Sequence, residues 1–144
     1  MRRLQCIVLA ALFMIAAGCA QQPAPQYNSL YDRLGQQPGL VAVVDDFVAN
    51  VAADSRINQR FAKTDIPKLK ALLVDQLCEA TGGPCKYTGR DMVTTHRCMN
   101  ITTAEFNATG EAMLKALQKH KVAQADIDTV MGVLGGMQND IVGK

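Results

Sequence analysis

The sequence predicts an all-α fold, and three observations support this. Apolar residues recur at intervals of three or four along several segments, which is the period of an amphipathic helix. Turn residues, such as Gly35 and the run Gly82-Gly83-Pro84, divide the chain into pieces of helical length. No segment shows the alternation of apolar and polar residues that is typical of a half-buried strand.

The first two helices are predicted before the middle of the chain. A short helix is expected at about Leu30 to Leu34, ending at Gly35. Pro38 can open the second helix, because its missing N–H group costs nothing in a first turn. The apolar stripe of this helix has the 3.6-residue period and consists of Leu40, Val43, Val44, Phe47, Val48 and Val51.

A loop with one short turn, containing Phe61, is expected before the third helix. Asp65 is the predicted N-cap of that helix, which begins at Ile66 and Pro67. Polar Gln76 interrupts its apolar face, which consists of Leu69, Leu72, Leu73, Leu77 and Ala80.

Three further helices are predicted in the second half. One covers about Arg90 to Cys98, and the next begins at a capping box of Thr102 and Glu105. The last begins near Ala125. Its glycines either allow close helix packing or loosen the helix; they are Gly132, Gly135 and Gly136.

The N-terminus has the features of a bacterial lipoprotein signal. Residues 1–18 contain Arg2 and Arg3, then an apolar stretch too short to span a membrane, then small residues up to Cys19. We expect cleavage before Cys19 and lipidation of its thiol, although an ordinary cleavage site followed by an unmodified cysteine is the alternative. Residues 19–28 would form a flexible tether and residues 29–144 the folded domain. Ala20 stands where aspartate tends to retain lipoproteins at the inner membrane, so export to the outer membrane is favoured.

The charge balance argues against nucleic acid as a partner. The chain has 15 basic and 13 acidic residues, and removal of Arg2 and Arg3 with the signal leaves 13 of each. No basic stripe remains of the kind that binds a phosphate backbone.

His96 is the residue that most strongly indicates a function. It lies four residues after Met92 and three before Met99, so a helix would place all three on one face. A hydrogen-bonded core histidine is one interpretation. The other is an axial haem ligand, because an imidazole that faces a wide apolar slot, with no polar neighbour, suits that role.

A zinc site is a further alternative. Cys78, Cys85, His96 and Cys98 form a set of three thiols and one imidazole, which could hold zinc. Their spacings are not those of common zinc motifs, and export favours disulfides over thiolate sites. The chain lacks a glycine-rich phosphate loop, an HExxH motif and a CxxCH motif for covalent haem attachment.

Several motifs together resemble one known family. They are LYDRLG, VVDDF, INQRFAKTDIPKL, ATGGPCKYTGRDM, the His96 that follows and GVLGGMQNDIV. In order and spacing, the chain from about Leu30 to Val142 resembles the truncated haemoglobins, most closely their group I. The resemblance implies a two-over-two helical sandwich around haem b.

The resemblance also implies roles for individual residues. His96 matches the proximal iron ligand, Phe61 the phenylalanine at the haem edge, Phe47 a second pocket phenylalanine, and Met92 a proximal contact. The distal positions depart from the family pattern: Val48 replaces the usual tyrosine and Leu73 the usual glutamine, while Leu69 takes the gate position. Leu77, on the same helix, completes the expected cofactor-binding set.

The implied function is binding of O₂, NO or CO by a pentacoordinate or weakly hexacoordinate haem, in a monomer with an unknown electron donor. Lys68 or Lys70 could act as a sixth ligand. An apolar distal side should hold O₂ weakly, because no donor stabilises its partial negative charge. Activity resembling that of an NO dioxygenase is one possible use. The alternatives are a haem redox or scavenging lipoprotein and a haem-free structural lipoprotein.

Two disulfide pairings are open. Gly82 and Gly83 let the chain reverse, so Cys78 can meet Cys85, which would leave Cys98 free. The rival pairing joins Cys85 to Cys98. We favour the first pairing.

Overall fold

The computed structural model describes residues 29–144, and within this range the chain is helical. Residues 1–28, which contain the expected signal, tether and Cys19, lie outside the described residues. The elements are α1 (Leu30–Arg33), α2 (Gln36–Ala53), a 3₁₀ helix (Asn58–Phe61), α3 (Ile66–Ala80), α4 (Met92–His96), α5 (Thr103–Lys119), α6 (Gln124–Gly135) and α7 (Gln138–Ile141). Between residues 29 and 144 no strand forms, and one isolated parallel bridge joins Ile101 to Val142. The predicted all-α fold is confirmed.

The helices form two layers around one core. Helix α2 packs against α3 and α5, and α5 also packs against α6. The predicted stripe of α2 is buried in this core, opposite small and apolar residues of α5. The core includes Leu40, Val43, Val44, Phe47 and Val51 of α2, Val74, Leu77 and Cys78 of α3, Ala108, Ala112, Met113, Ala116 and Leu117 of α5, and Ile127 and Val130 of α6.

Helix α2 begins two residues before the expected Pro38. Gly35 is in the left-handed conformation, with φ of 84°, and Gln36 has φ of 57°. This sharp turn after α1 leads directly into α2, so the helix already begins at Gln36. Gly35 tolerates this conformation because it has no Cβ.

The predicted caps of α3 and α5 are confirmed. The Asp65 side chain accepts a hydrogen bond from the backbone N–H of Lys68 at 3.1 Å, which caps α3. At α5, the Thr102 hydroxyl accepts from the N–H of Glu105 at 3.2 Å, and the Glu105 carboxylate accepts from the N–H of Thr102 at 2.9 Å. These bonds satisfy amides that otherwise lack partners in a first turn.

Two helices are shorter than expected. Helix α4 covers only Met92–His96, because Asp91 caps it at one end and Cys98, with φ of 64°, cannot continue it at the other. Cys98 is therefore exposed on the loop after α4. The expected last helix is split into α6 and α7 after Gly135. A Cβ at Gly132 or Gly135 would meet no atom within 4 Å, so these glycines loosen the helix and do not serve close packing.

Among residues 29–144, no helix is both long enough and apolar enough to cross a membrane.

Candidate functional site

His96 is held in one orientation by its own helix. The side chain of Asp91 accepts hydrogen bonds from the backbone N–H and the hydroxyl of Thr94, both at 2.8 Å, which fixes the start of α4. His96 is the last residue of that helix, and its Nδ1 lies 2.9 Å from the carbonyl oxygen of Met92. Because a carbonyl can only accept, Nδ1 carries a hydrogen, and in the neutral imidazole Nε2 is then the nitrogen with the free lone pair. A neutral imidazole fixed in this way is the form that ligates a metal.

Two adjoining cavities meet at His96. One has a volume of about 260 Å³ and the other about 480 Å³, and both also border Phe61, Leu69 and Leu72. Together they form a cleft between α3 on one side and α4 on the other. We call these two cavities the His96 cleft. Its size is in the range of cofactor pockets in proteins.

Six of the predicted site residues line the smaller cavity of the cleft, and two do not. The six are Phe47, Phe61, Leu69, Leu73, Met92 and His96. Val48 instead lines a third cavity of about 350 Å³, which shares Phe47, Phe61 and Leu69 with the cleft. Val48 therefore adjoins the cleft through these shared neighbours and does not line it.

Leu77 is the second predicted site residue that lies outside the cleft. Leu77 is 5% exposed, belongs to the core with Val74 and Cys78, and borders neither cavity of the cleft. Leu77 lies one helical turn beyond Leu73, near the end of α3, where its side chain is covered by the core.

Gln76 and Tyr87 line the cleft although they were not among the predicted site residues. The amide nitrogen of Gln76 lies 3.8 Å from the sulfurs of both Met92 and Met137, so this polar side chain points into the cleft. The interruption of the apolar face at Gln76 was the signal in the sequence. The Tyr87 hydroxyl donates to the carbonyl oxygen of Arg90 at 2.9 Å, and partial burial raises the pKa of Tyr87.

Cationic side chains border the larger cavity, namely Arg60, Lys68 and Arg90. Arg60 is bound to Glu105, with Nε to Oε1 at 2.7 Å. Lys68 and Arg90 are exposed, and neither has a carboxylate within ion-pair distance among residues 29–144. The cleft thus combines an apolar interior with two free positive charges at its rim.

The model for the bacterial-like globin family matches residues 29–142. The chain belongs to this family. Membership implies haem iron as the cofactor. The His96 cleft is lined by six of the residues that the sequence predicts for a haem site.

Its relatives are truncated haemoglobins. This globin is 32% identical over 117 residues to a group 1 truncated haemoglobin of Nostoc, covering 81% of the chain and 99% of that protein. The structure of the Fe(III) truncated haemoglobin of Tetrahymena pyriformis matches with a TM-score of 0.78 and 30% identity, covering 81% and 99% of the two chains. The 2/2 haemoglobin of Synechococcus, solved in the cyanomet state with covalently attached haem, matches with a TM-score of 0.74 and 33% identity, over 79% and 98%. The expected two-over-two truncated globin fold is confirmed.

The loop of this globin between α3 and α4 is closed by a disulfide. Cys78 and Cys85 are bonded, with their Cα atoms 5.7 Å apart, while Cys98 is free and exposed. The chain reverses at Gly82, with φ of 83°. A Cβ on Gly83 would lie 2.6 Å from the Cys78 sulfur, so only glycine fits there without displacement. In the structure the sulfurs are paired as in the first of the two arrangements considered.

The zinc alternative is wrong. Two of its four ligands, Cys78 and Cys85, are bonded to each other, so neither is available as a thiolate. Among the residues described, no group of three or more His, Cys, Asp or Glu side chains is arranged to hold a metal ion.

Proposed function

We propose that this truncated haemoglobin binds haem b in the His96 cleft, where His96 Nε2 would hold the iron, and that the bound haem would take O₂, NO or CO on the side that faces α3. One observation carries this proposal. The hydrogen bond from Nδ1 to the Met92 carbonyl leaves Nε2 without a protein partner, in a residue that borders both cavities. The same bond raises the basicity of the imidazole towards a metal.

The residues of the cleft fit an amphipathic macrocycle with carboxylate groups. Leu69, Leu72 and Leu73 of α3 face the cleft and are only half-buried, so they offer apolar surface to a flat ligand. Lys68 and Arg90 at the rim would neutralise the two propionates. Haem iron supplies reversible binding of diatomic gases when it is present; the protein supplies orientation, exclusion of water and charge balance.

The α3 side favours gases that need no hydrogen-bond donor. Leu69 and Leu73 border the cleft, and Val48 lies behind them in the adjoining cavity. A donor to bound O₂ would be worth about 1–3 kcal/mol, and these three side chains supply none. With the Gln76 amide directed at the sulfurs of Met92 and Met137, O₂ release should be about 10- to 100-fold faster than with a distal donor. NO and CO depend on such a donor less. Binding of NO or CO, for turnover or sensing, is therefore favoured over tight storage of oxygen.

Of the two lysines considered as a sixth ligand, the contacts favour Lys68. Lys70 Nζ is bound to Asp45 at 2.8 Å and borders a different cavity, between α2 and α3. Lys68 borders the cleft and has no carboxylate partner among residues 29–144. In a weakly hexacoordinate form, Lys68 would bind the iron and could not neutralise a propionate at the same time.

We also propose that the domain is attached to the periplasmic side of a bacterial membrane, with the outer membrane favoured, through a lipid on Cys19. The lipobox-like run Ala16-Ala17-Gly18-Cys19 supports this, and Ala20 supports the outer membrane. The disulfide between Cys78 and Cys85 suits an oxidising compartment.

A haemin titration of the purified domain tests haem binding. We expect a Soret band that saturates at one haem per chain, and a ferrous form that binds CO and NO. Absence of a stoichiometric Soret band would reject the proposal in favour of a haem-free structural lipoprotein. A haem complex that binds no gas would instead favour a redox or scavenging role.

A further inference from the structure

The side chain of Arg60 joins three segments that border the His96 cleft: the 3₁₀ helix, the loop after α4 and the start of α5. Arg60 lies in the 3₁₀ helix, directly before Phe61. Its guanidinium donates to Glu105 through Nε, at 2.7 Å from Oε1, and through Nη2, at 3.1 Å from Oε2. Its remaining nitrogen, Nη1, donates to the carbonyl oxygen of Met99 at 3.0 Å. Arg60, Met99 and Glu105 all border the larger cavity of the cleft, so these bonds cross its mouth.

The acceptor, the carboxylate of Glu105, is held in place by bonds that do not involve Arg60. Glu105 is the third residue of the Thr102 capping box, and its Oε2 accepts from both the N–H and the hydroxyl of Thr102 at 2.9 Å. The Glu105 side chain is 20% exposed and that of Arg60 is 36% exposed. A planar guanidinium on a prearranged carboxylate loses little conformational freedom when it binds. The contact therefore differs from an ordinary pair of flexible surface charges.

The carbonyl of Met99 connects the contact to His96. Met99 is three residues after His96, and its N–H donates to the His96 carbonyl at 3.0 Å. The segment that follows is not helical and contains Cys98 and Asn100 with positive φ. Its far side is tied to the C-terminus, because the Asn100 N–H donates to the Lys144 carbonyl at 2.7 Å. Arg60 binds the carbonyl of Met99 on the other side. The loop that follows His96 is therefore held by hydrogen bonds from both sides.

We propose that Arg60 is a positioning residue for His96 and a latch across the mouth of the cleft, an inference that rests on the proposed haem binding. A bound macrocycle that leaves through this mouth must pass between the 3₁₀ helix and the segment 97–102. Arg60 opposes this separation with three charge-assisted hydrogen bonds, and it also restrains the loop that carries His96. Breaking the latch should therefore speed haem loss and loosen the geometry of His96.

The test compares three variants of the haem-loaded protein. Arg60→Met keeps the aliphatic stem and removes every donor. Arg60→Lys keeps the charge and loses the planar fork. Arg56→Met is the matched control, because Arg56 forms a comparable pair of contacts with Asp54 and Glu111 and borders neither cavity of the cleft. The rate of haem transfer to excess apomyoglobin is measured for each.

We expect Arg60→Met to lose haem about three- to tenfold faster than the wild type, from the size of exposed and charge-assisted contacts. Arg60→Lys should lie between the two, and Arg56→Met should match the wild type. The iron–histidine stretching band of the ferrous form should shift or broaden in Arg60→Met alone. In the haem-free protein, the amides of residues 98–101 should exchange hydrogen faster in Arg60→Met than in Arg56→Met.

Equal rates of haem loss in Arg60→Met and Arg56→Met would overturn the inference. If Arg60→Met does not fold, Glu105→Gln breaks the same pair while glutamine preserves the capping box, and the same comparison decides. If the wild type binds no haem, it is the proposed function that fails. Hydrogen exchange at residues 98–101 then still tests the latch, and unchanged exchange in Arg60→Met would refute it.

Discussion

Nδ1 of His96 lies 2.9 Å from the carbonyl oxygen of Met92, one helical turn earlier in α4. This contact determines which nitrogen of the ring can bind a metal. His96→Ala should abolish stoichiometric haem binding, or leave a spectrum with a strongly shifted Soret band, because no other imidazole borders the cleft. The measurement is a haemin titration followed by absorption spectra of the ferric, ferrous and CO forms.

His120→Ala is the matched control for this prediction. His120 is the chain's other histidine, and its Nε2 lies 2.7 Å from Asp46 on a distant surface. Its removal should leave the Soret band and the stoichiometry unchanged. Equal spectra for His96→Ala and the wild type would exclude His96 as the iron ligand.

Val48→Tyr should slow the release of O₂ about tenfold or more, relative to Val48→Phe. The cavity of about 350 Å³ beside Val48 has room for an aromatic ring, and only tyrosine adds a hydroxyl that can donate to bound O₂. CO release should change little, since CO carries less charge. Stopped-flow displacement of each gas gives the rates. A parallel change of both gases in the two variants would mean that a donor, such as Gln76, already serves the bound ligand.

The sequence predicted the helices whose signals are local. The stripe of α2, the Asp65 cap of α3 and the Thr102–Glu105 capping box of α5 depend on residues within one or two turns, and all appear in the structure. The end of α4 could not be predicted in this way. It depends on the positive φ of Cys98 and Asn100, which is held by pairing with the C-terminus more than 40 residues later.

For the site, the helical period of the sequence predicts which residues share one face of α3, but not what that face contacts. Leu69 and Leu73 border the cleft, whereas Leu77, next to them on the same apolar face, belongs to the core. Helix α3 packs against α2 on one side and borders the cleft on the other, and both sides need apolar residues. The apolar pattern therefore does not tell which of these residues face the cleft. Arg60 carried no signal at all, since its partners Met99 and Glu105 are 39 and 45 residues away.

Glu105 should make stability depend on acid pH. Hydrogen bonds from Arg60, and from the backbone and hydroxyl of Thr102, lower the pKa of Glu105 from 4.5 to about 2. A carboxyl whose pKa is lowered by folding contributes its full stabilisation above its unfolded pKa, and loses it as the pH falls through the folded value. The melting temperature of the wild type should therefore exceed that of Glu105→Gln by a constant amount above about pH 5. The difference should shrink between pH 4.5 and 2.

The difference in melting temperature between the wild type and Glu105→Gln reports on Glu105, because the other titrating groups are the same in both proteins. Asp54→Asn serves as a control, since the pKa of Asp54 is also lowered to about 2, by Arg56, away from the cleft. It should show the same dependence on pH without any effect on haem loss. A difference for Glu105→Gln that stays constant down to pH 2 would contradict the assigned ion pair.

Cys19→Ser should convert a membrane-bound protein into one that fractionates as soluble or remains uncleaved. Lipidation requires the thiol of Cys19, and a hydroxyl cannot replace it. Density-gradient fractionation of cells, together with mass spectrometry of the mature N-terminus, measures both outcomes. Cys6→Ser, in the apolar part of the same segment, is the control and should remain in the outer membrane fraction. An unmodified Cys19 thiol on the mature protein would refute the lipid anchor.

The disulfide between Cys78 and Cys85 should stabilise both the fold and the haem complex. Cys78 is fully buried against the core, and the bond closes a loop between residues seven positions apart. A loop of this size restricts the unfolded chain by about 2–3 kcal/mol, so the double variant Cys78→Ala/Cys85→Ala should lose about that much stability in urea. Cys98→Ala should lose almost none, because its side chain is exposed and unpaired.

Peptide mapping without reduction determines the pairing directly, and it should give one linked peptide that contains Cys78 and Cys85, with Cys98 free for alkylation. The bond fastens the end of α3 to the loop that leads to Tyr87 and Arg90 at the cleft. The double variant should therefore also lose haem faster than Cys98→Ala does, because this side of the cleft is no longer held. A linked peptide of Cys85 and Cys98, or three free thiols in protein purified without reductant, would show the pairing to be wrong. If the pairing is correct but haem loss does not change, the bond serves only the stability of the core.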